Sequence, residues 1–354
     1  MVAFSALVAS LCVGFGSSTV LFSADCSGAA SGTGECIYSM DVDGGLSVKA
    51  NLTAELAYTS TGKISALEVD VPHSMIYWTD RSNEVLMGAT LGGDFGDAKV
   101  LISGMGEPHD VAVRLSTGAV YVADKLKGAI LFSADGGETH MTFASDLEEP
   151  VGVEVDDDNA KLYVTDYKAG HIWCYDLDKP GFRVPFQSNV TSPRSVLLHD
   201  TYLYWIEVDG SDPDSVASGV VYRQAAAQMG GAKQLFATGL VNPDALADIG
   251  DSLLISDESS DLITHAAFDA PDIVDTSDYQ LVKADAPRAI ASFSSTDATM
   301  TTTSAWAQLA AGLRVGTSAA SLPIVAGLAV AGVALSAAKV ATKEAYVPVP
   351  DDLA

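Results

Sequence analysis

The chain has 354 residues, 48% of them hydrophobic, enough for one large domain or two ordinary ones with a sizeable core. Its 46 acidic residues against 19 basic ones leave a formal net charge of −27. A surface of that sign repels phosphate backbones and excludes nucleic acid as a partner; a cationic ligand, calcium or a basic protein patch fits it better.

In chain order, residues 1–16 (MVAFSALVASLCVGFG) are uncharged and end in Gly14-Phe15-Gly16, a small-x-small pattern like that of a secretory cleavage site, so they read as a signal peptide without its positive n-region. Next come six copies of one idea, apolar and aromatic residues closed by an acid. They are VLFSAD ending at Asp25, IYWTD at Asp80, VYVAD at Asp124, LYVTD at Asp166, LYWIE at Glu207 and LLISD at Asp257. The acids lie 55, 44, 42, 41 and 50 residues apart. The shorter intervals match a four-stranded propeller blade, and the longer ones imply loop insertions.

A second strand opens five or six residues after four of the acids, at Val85, Ile130, Ile172 and Ile263, and later in the other two, at Ile37 and Val221. Ahead of four copies a proline leads an apolar run, at Pro108, Pro150, Pro193 and Pro243, where a strand's first residue needs no ladder hydrogen bond. Strand-period alternation runs through Gly152–Asp156, and helical periodicity is absent before residue 300. The reading is all-β, six blades over residues 17–293. A fifth proline-led run, Pro287–Phe293, has no acid-ended strand behind it; its place is the inner strand of the first blade, closing the ring. The competitor for that place is Ala9–Val13, which would abolish the signal peptide.

Cys26 and Cys36 bracket the SGAASGTGE insertion at the two ends of a hairpin, across from one another, and a secreted chain would oxidise them. Asn51-Leu-Thr and Asn189-Val-Thr are N-glycosylation acceptors compatible with a lumenal passage. Beyond the propeller, residues 294–318 read as a Ser/Thr-rich stalk. Residues 319–338 form an uncharged run of 20, about the length of a transmembrane helix, and Lys339 and Lys343 follow it. That bias puts residues 339–354 in the cytoplasm as a tail, with the propeller outside the cell or in the lumen.

Tyr77-Trp-Thr-Asp80 resembles the namesake motif of the low-density lipoprotein receptor class B (YWTD) repeat, a six-bladed β-propeller module. Pro150–Asp156 and Ala129–Gly136 look like the flanking parts of the same repeat, while VYVADKLKGAIL at 120–131 also reads like an NHL propeller repeat. Receptors of the first family carry cysteine-rich modules beside the propeller, and this chain, with four cysteines, has none, so their ligand contacts do not transfer. In that family the repeated aspartates belong to a structural network. The residues agree: an acid at a strand end can accept N–H groups of a neighbouring turn, and six acids spread round a ring cannot converge on one substrate. Asp25, Asp80, Asp124, Asp166, Glu207 and Asp257 are therefore read as structural, and Trp78 and Trp205 as fillers between blades.

The function expected is non-catalytic binding by a cell-surface or endomembrane ectodomain, with a protein or other extracellular ligand, no cofactor required and calcium as the ion to consider. The alternative is a metal-dependent hydrolase of the kind that gluconolactonase-type propellers resemble, with Glu107, Asp110, Glu149 and Asn242 converging on the axis as oxygen ligands. A second alternative is a surface component that binds copies of itself.

Overall fold

The computed structural model describes residues 17–26, 34–43, 55–93, 95–179, 181–209 and 219–294. The signal-peptide segment, Asn51, the stalk, the 319–338 run and the tail lie outside them. No helix among the described residues is long and apolar enough to cross a membrane.

Six antiparallel sheets stand in a ring. From the inner strand outward, blade 2 is Ile64–Asp70, Met75–Asp80, Val85–Thr90 and Lys99–Ile102; blade 3 is Pro108–Arg114, Ala119–Asp124, Ala129–Ser133 and Met141–Ala144. Blade 4 is Pro150–Asp156, Lys161–Asp166, His171–Asp176 and Arg183–Ser188; blade 5 is Pro193–His199, Tyr202–Val208, Gly219–Ala225 and Gln234–Leu240. Blade 6 is Pro243–Asp248, Ser252–Asp257, Leu262–Ala267 and Gln280–Lys283. Four inner strands thus begin on the prolines that the sequence marks. Blade 1 joins the two ends of the ring: Ile290–Ser294 is its inner strand, and Ser17–Asp25, Glu35–Asp43 and Glu55–Thr59 follow outward. Phe22 lies opposite Ile290 and Val20 opposite Ser292, so the orphan run does close the ring as the inner strand of blade 1.

The acid-ended strands are second in each blade and face neighbours on both sides, which is why they read as continuous apolar runs; Ala119–Asp124 is buried at all six positions. Trp78 is fully buried with Leu21 and Ile37 of blade 1 on one side and Ile76 of its own blade on the other. Trp205 is equally buried against Tyr163 and Phe186 of blade 4. In blades 2, 4 and 6 a hydroxyl one place before the acid ties the blade to the next: Thr79 Oγ1 donates to the His109 carbonyl at 3.3 Å, Thr165 Oγ1 to that of Arg194 at 2.6 Å and Ser256 Oγ to that of Arg288 at 2.6 Å.

Two features depart from a uniform four-stranded pattern. The long connection between the last two strands of blade 6 folds back so that Val274–Asp275 pairs in parallel with the outer strand of blade 5. Single 3-10 turns occur at Glu258–Ser260 and Thr276–Asp278, each capped by the aspartate before it and too short to carry a helical period.

Candidate functional site

The repeated acids come first, because they shape the channel's mouth. Asp124, wholly buried, accepts from the backbone N–H groups of Gly106 at 2.9 Å and Glu107 at 3.0 Å. Asp166 does the same with Glu148 (3.0 Å) and Glu149 (2.9 Å), and Asp257 with Val241 (2.6 Å) and Asn242 (2.9 Å). Each acid therefore clamps the loop that leads into its own blade's inner strand. Asp80 holds Ser60 Oγ at 2.8 Å and both the N–H (3.0 Å) and Nδ2 (2.8 Å) of Asn83. Glu207 accepts from Thr191 N–H at 3.0 Å, and its extra methylene also lets it reach Trp205 Nε1 at 2.9 Å. Trp78 Nε1, beside the shorter Asp80, has no partner. Asp25 differs from the rest: its side chain is largely exposed and pairs with Arg288 at 3.2 Å.

The clamped loops bring one position of every blade to the same place, the residue after each inner-strand proline (or after Ile64 in blade 2): Ser65, His109, Val151, Arg194, Asp244 and Arg288. They surround the upper end of an axial cavity of about 240 Å³, walled by all six inner strands. Burial raises the carboxyl of Asp244, against the opposing pull of Arg194, Arg81, Arg288 and Lys125. Burial, then Lys125 and Arg81, depress His109 to about 3, so its imidazole is neutral. Arg194 Nη1 stands 3.5 Å from Asp244 and donates to the Pro243 carbonyl at 3.0 Å. Lys125 lies only loosely between Glu107 (3.8 Å) and Glu149 (3.9 Å). In a chain with net charge −27, four of its 19 cations act on one carboxylate at the channel mouth.

Arg288 is otherwise engaged. It is almost fully buried and links Glu258 (2.7 Å), Asp25 (3.2 Å) and buried Glu35, whose carboxyl burial pushes up to about 7. Cys26 and Cys36 are joined by a disulfide beside this cluster, and Asp25 and Glu35 are register partners in the same hairpin. Cys174 is a buried free thiol.

The four metal candidates are not gathered. Glu107, Glu149 and Asn242 sit in the lead-in loops, where Glu107 and Glu149 flank Lys125 and Asn242 Nδ2 donates to Glu258 at 3.3 Å. Asp110 alone enters the channel wall, accepting from Val111 N–H (2.8 Å) and Val153 N–H (2.9 Å). Among the described residues, no three His, Cys, Asp or Glu side chains stand close enough together to hold a metal ion. Asn189 is exposed with φ +59°, in the loop leading to Pro193 on the mouth face; Thr191 is exposed beside it.

Sequence reasoning missed Arg81, Lys125, Arg194, Arg288 and Asp244. A signal for the last three was present: the column directly after the prolines carries charge.

No family model matches the chain. It is 27% identical over 149 residues to the vitellogenin receptor of Solenopsis invicta, a match covering 42% of this chain and 8% of that receptor. It is 26% identical over 144 residues to low-density lipoprotein receptor-related protein 5 of Mus musculus, covering 40% of this chain and 9% of the relative. These matches span less than a tenth of either relative. A chain in the crystal structure of a nidogen/laminin complex aligns with a TM-score of 0.60 at 19% identity, over 78% of this chain and 99% of that one. Six blades, with receptor sequences as relatives, support the YWTD propeller family for this chain. In a YWTD propeller the motif's last two residues now have separate tasks here: Thr79 reaches across to the His109 carbonyl of the next blade (3.3 Å), and Asp80 fixes its own blade's turns.

Proposed function

We propose that the chain is a non-catalytic, protein-binding ectodomain of receptor type that engages its partner through the channel-mouth face. The observation that carries this reading is the placing of Arg194 3.5 Å from Asp244 at the channel mouth, with Arg81 and Lys125 also acting on that carboxylate. Arg81 has no ion-pair partner among the described residues and Lys125 has only long contacts, so both are free to meet an acidic side chain of a partner. Such a contact is opposite in sign to the one that the net charge suggests. Its value is in orientation and association rate, which follow the local potential and not the average one. Relatives named as receptors, and a structural neighbour solved as a nidogen/laminin complex, support protein binding. The signal peptide, the single C-terminal span over 319–338 and the lumenal placement of Asn51 and Asn189 complete the proposal as a type I membrane glycoprotein.

The test uses the immobilised protein and the secreted proteins of its own source. A saturable partner should be lost with Lys125→Glu/Arg194→Glu and kept with Asp200→Lys, which lies in an exposed turn at the opposite end of the channel. A partner that is retained by the first variant and lost with the second would overturn the use of this face. Release of acid from lactone esters by the wild type, abolished by Glu149→Gln, would overturn the non-catalytic reading.

A further inference from the structure

Below the mouth, the channel wall holds three carboxylates on consecutive blades: Glu68 of blade 2, Asp110 of blade 3 and Glu154 of blade 4. Each inner strand has a sheet neighbour on one side only, so its other edge offers N–H groups to the blade before it. The carboxylates take them. Asp110 Oδ2 accepts from Val153 N–H of blade 4 at 2.9 Å and Glu154 Oε1 from Leu198 N–H of blade 5 at 3.0 Å, while Val113 N–H of blade 3 only partly offsets the effect of burial on Glu68. The surrounding wall is aliphatic (Leu67, Val111, Val153, Val196, Leu246 and Ile290), and no lysine or arginine is among the lining residues.

The groups that face the trio are acidic from every side. Glu154 meets Asp110 of blade 3, Asp248 of blade 6 and Asp156 of its own strand. Asp110 meets Asp244 of blade 6. Glu68 meets Glu154, Asp110 and its own blade's Asp70. The imidazoles at the two ends are spoken for: His109 is neutral at the mouth, and His199 is 2.6 Å from Asp248.

We propose that Glu68, Asp110 and Glu154 are an acid-strengthened clasp, which takes up protons as the surroundings become mildly acidic and makes the ring more stable there than in alkaline solution. Among the described residues no donor reaches Glu154 Oε2, so it can carry a proton while Oε1 keeps its hold on Leu198. Burial and the neighbouring acids shift all three carboxyls upward, Asp110 to about 7, Glu154 to about 8, and Glu68 well above the ordinary range. A carboxyl raised in the folded state favours folding when protonated. Its contribution is complete below the unfolded carboxylate range and is lost as pH rises through the folded values, here about 7 to 8. Glu35 at the ring seam, pushed up to about 7, acts in the same direction. His109 acts in the opposite direction, but only as pH falls below the ordinary imidazole range.

The clasp is independent of what the mouth binds. Its test is the melting temperature of the purified chain at pH 6.5 and pH 9, either side of that window. The wild type should melt higher at pH 6.5. Glu154→Gln keeps an oxygen for Leu198 and cannot ionise; it should melt higher than the wild type at pH 9 and show a smaller difference between the two pH values. Glu107→Gln, at the mouth, should keep the wild-type difference. A wild type that melts no higher at pH 6.5, or a Glu154→Gln chain with the full wild-type difference, would overturn the proposal. A second measurement needs no variant: calorimetric unfolding of the wild type at pH 7.5 in buffers of different ionisation enthalpy should show net proton release. Net uptake would overturn it.

Discussion

Asp124→Ala is the sharpest test of what the repeated acids do. The wild-type carboxylate is wholly buried and accepts from Gly106, Glu107 and Lys127 N–H groups at 2.9, 3.0 and 3.3 Å. Bonds to a charged acceptor are worth about 1.5–3 kcal/mol each, and the third is long enough to count for little. The two donors left behind are only half-buried, so water recovers part of the loss. The net destabilisation is then about 3–5 kcal/mol. For a domain of this size that is roughly 6–10 °C in melting temperature, at about 2 °C per kcal/mol. The assay is a thermal melt followed by circular dichroism, with Glu107→Ala as the control, expected within about 0.5 kcal/mol of wild type because its side chain makes only long contacts. Asp124→Ala melting within about 2 °C of wild type would refute the clamp and return Asp124 to the list of groups that act on something else.

Three further outcomes follow from particular contacts. Gly62→Ala would drive its Cβ into the Asp80 carboxylate, so the clamp in blade 2 must open; melting should fall about as far as in Asp80→Ala, and an unchanged melt would show that the loop simply yields. Reducing the Cys26–Cys36 bond, or replacing both cysteines by serine, frees a loop of sequence separation 10 and should lower stability by roughly 2–3 kcal/mol in a urea titration, the loss expected for a loop of that length. Arg288→Ala leaves Glu35 buried without its cation and should cost about 3–5 kcal/mol, with protease cutting first in blade 1, where the two ends of the ring meet. Cutting first in blade 3 or 4 would show that the seam is not the weakest junction.

The ring was legible because its grammar is local. An acid ending an apolar run, a proline opening the next strand and a period near 42 residues are each visible within one blade, and every blade repeats them. Even the closure could be read, since Pro287–Phe293 has the blade-opening pattern with no blade of its own to open. The return of Val274–Asp275 onto blade 5 could not. Two residues of parallel pairing have no period, and their partner strand lies 34 residues or more upstream, between Gln234 and Leu240. Nor could the inter-blade bonds of Thr165, Ser256 and Glu154, because each joins residues that only the ring makes neighbours.

The mouth shows why composition misleads about recognition. Arg81, Lys125, Arg194 and Arg288 are spread from position 81 to position 288, and each read alone in the sequence looks like any other cation of an acidic chain. The ring's rotation carries equivalent positions to one axis, so four isolated charges become one cluster that no window of sequence contains. A net charge of −27 averages the whole surface, and over most of it the average holds. A ligand, however, is oriented by the potential where it docks, within about one Debye length, roughly 8 Å in physiological salt. At that range Arg81 and Lys125, which have no close ion-pair partner among the described residues, count for more than carboxylates elsewhere on the surface. It follows that raising salt should weaken binding at the mouth, as it would for an attraction of either sign. Reversing Lys125 and Arg194 should do more: it should turn that attraction for an acidic partner into repulsion, which salt would then relieve.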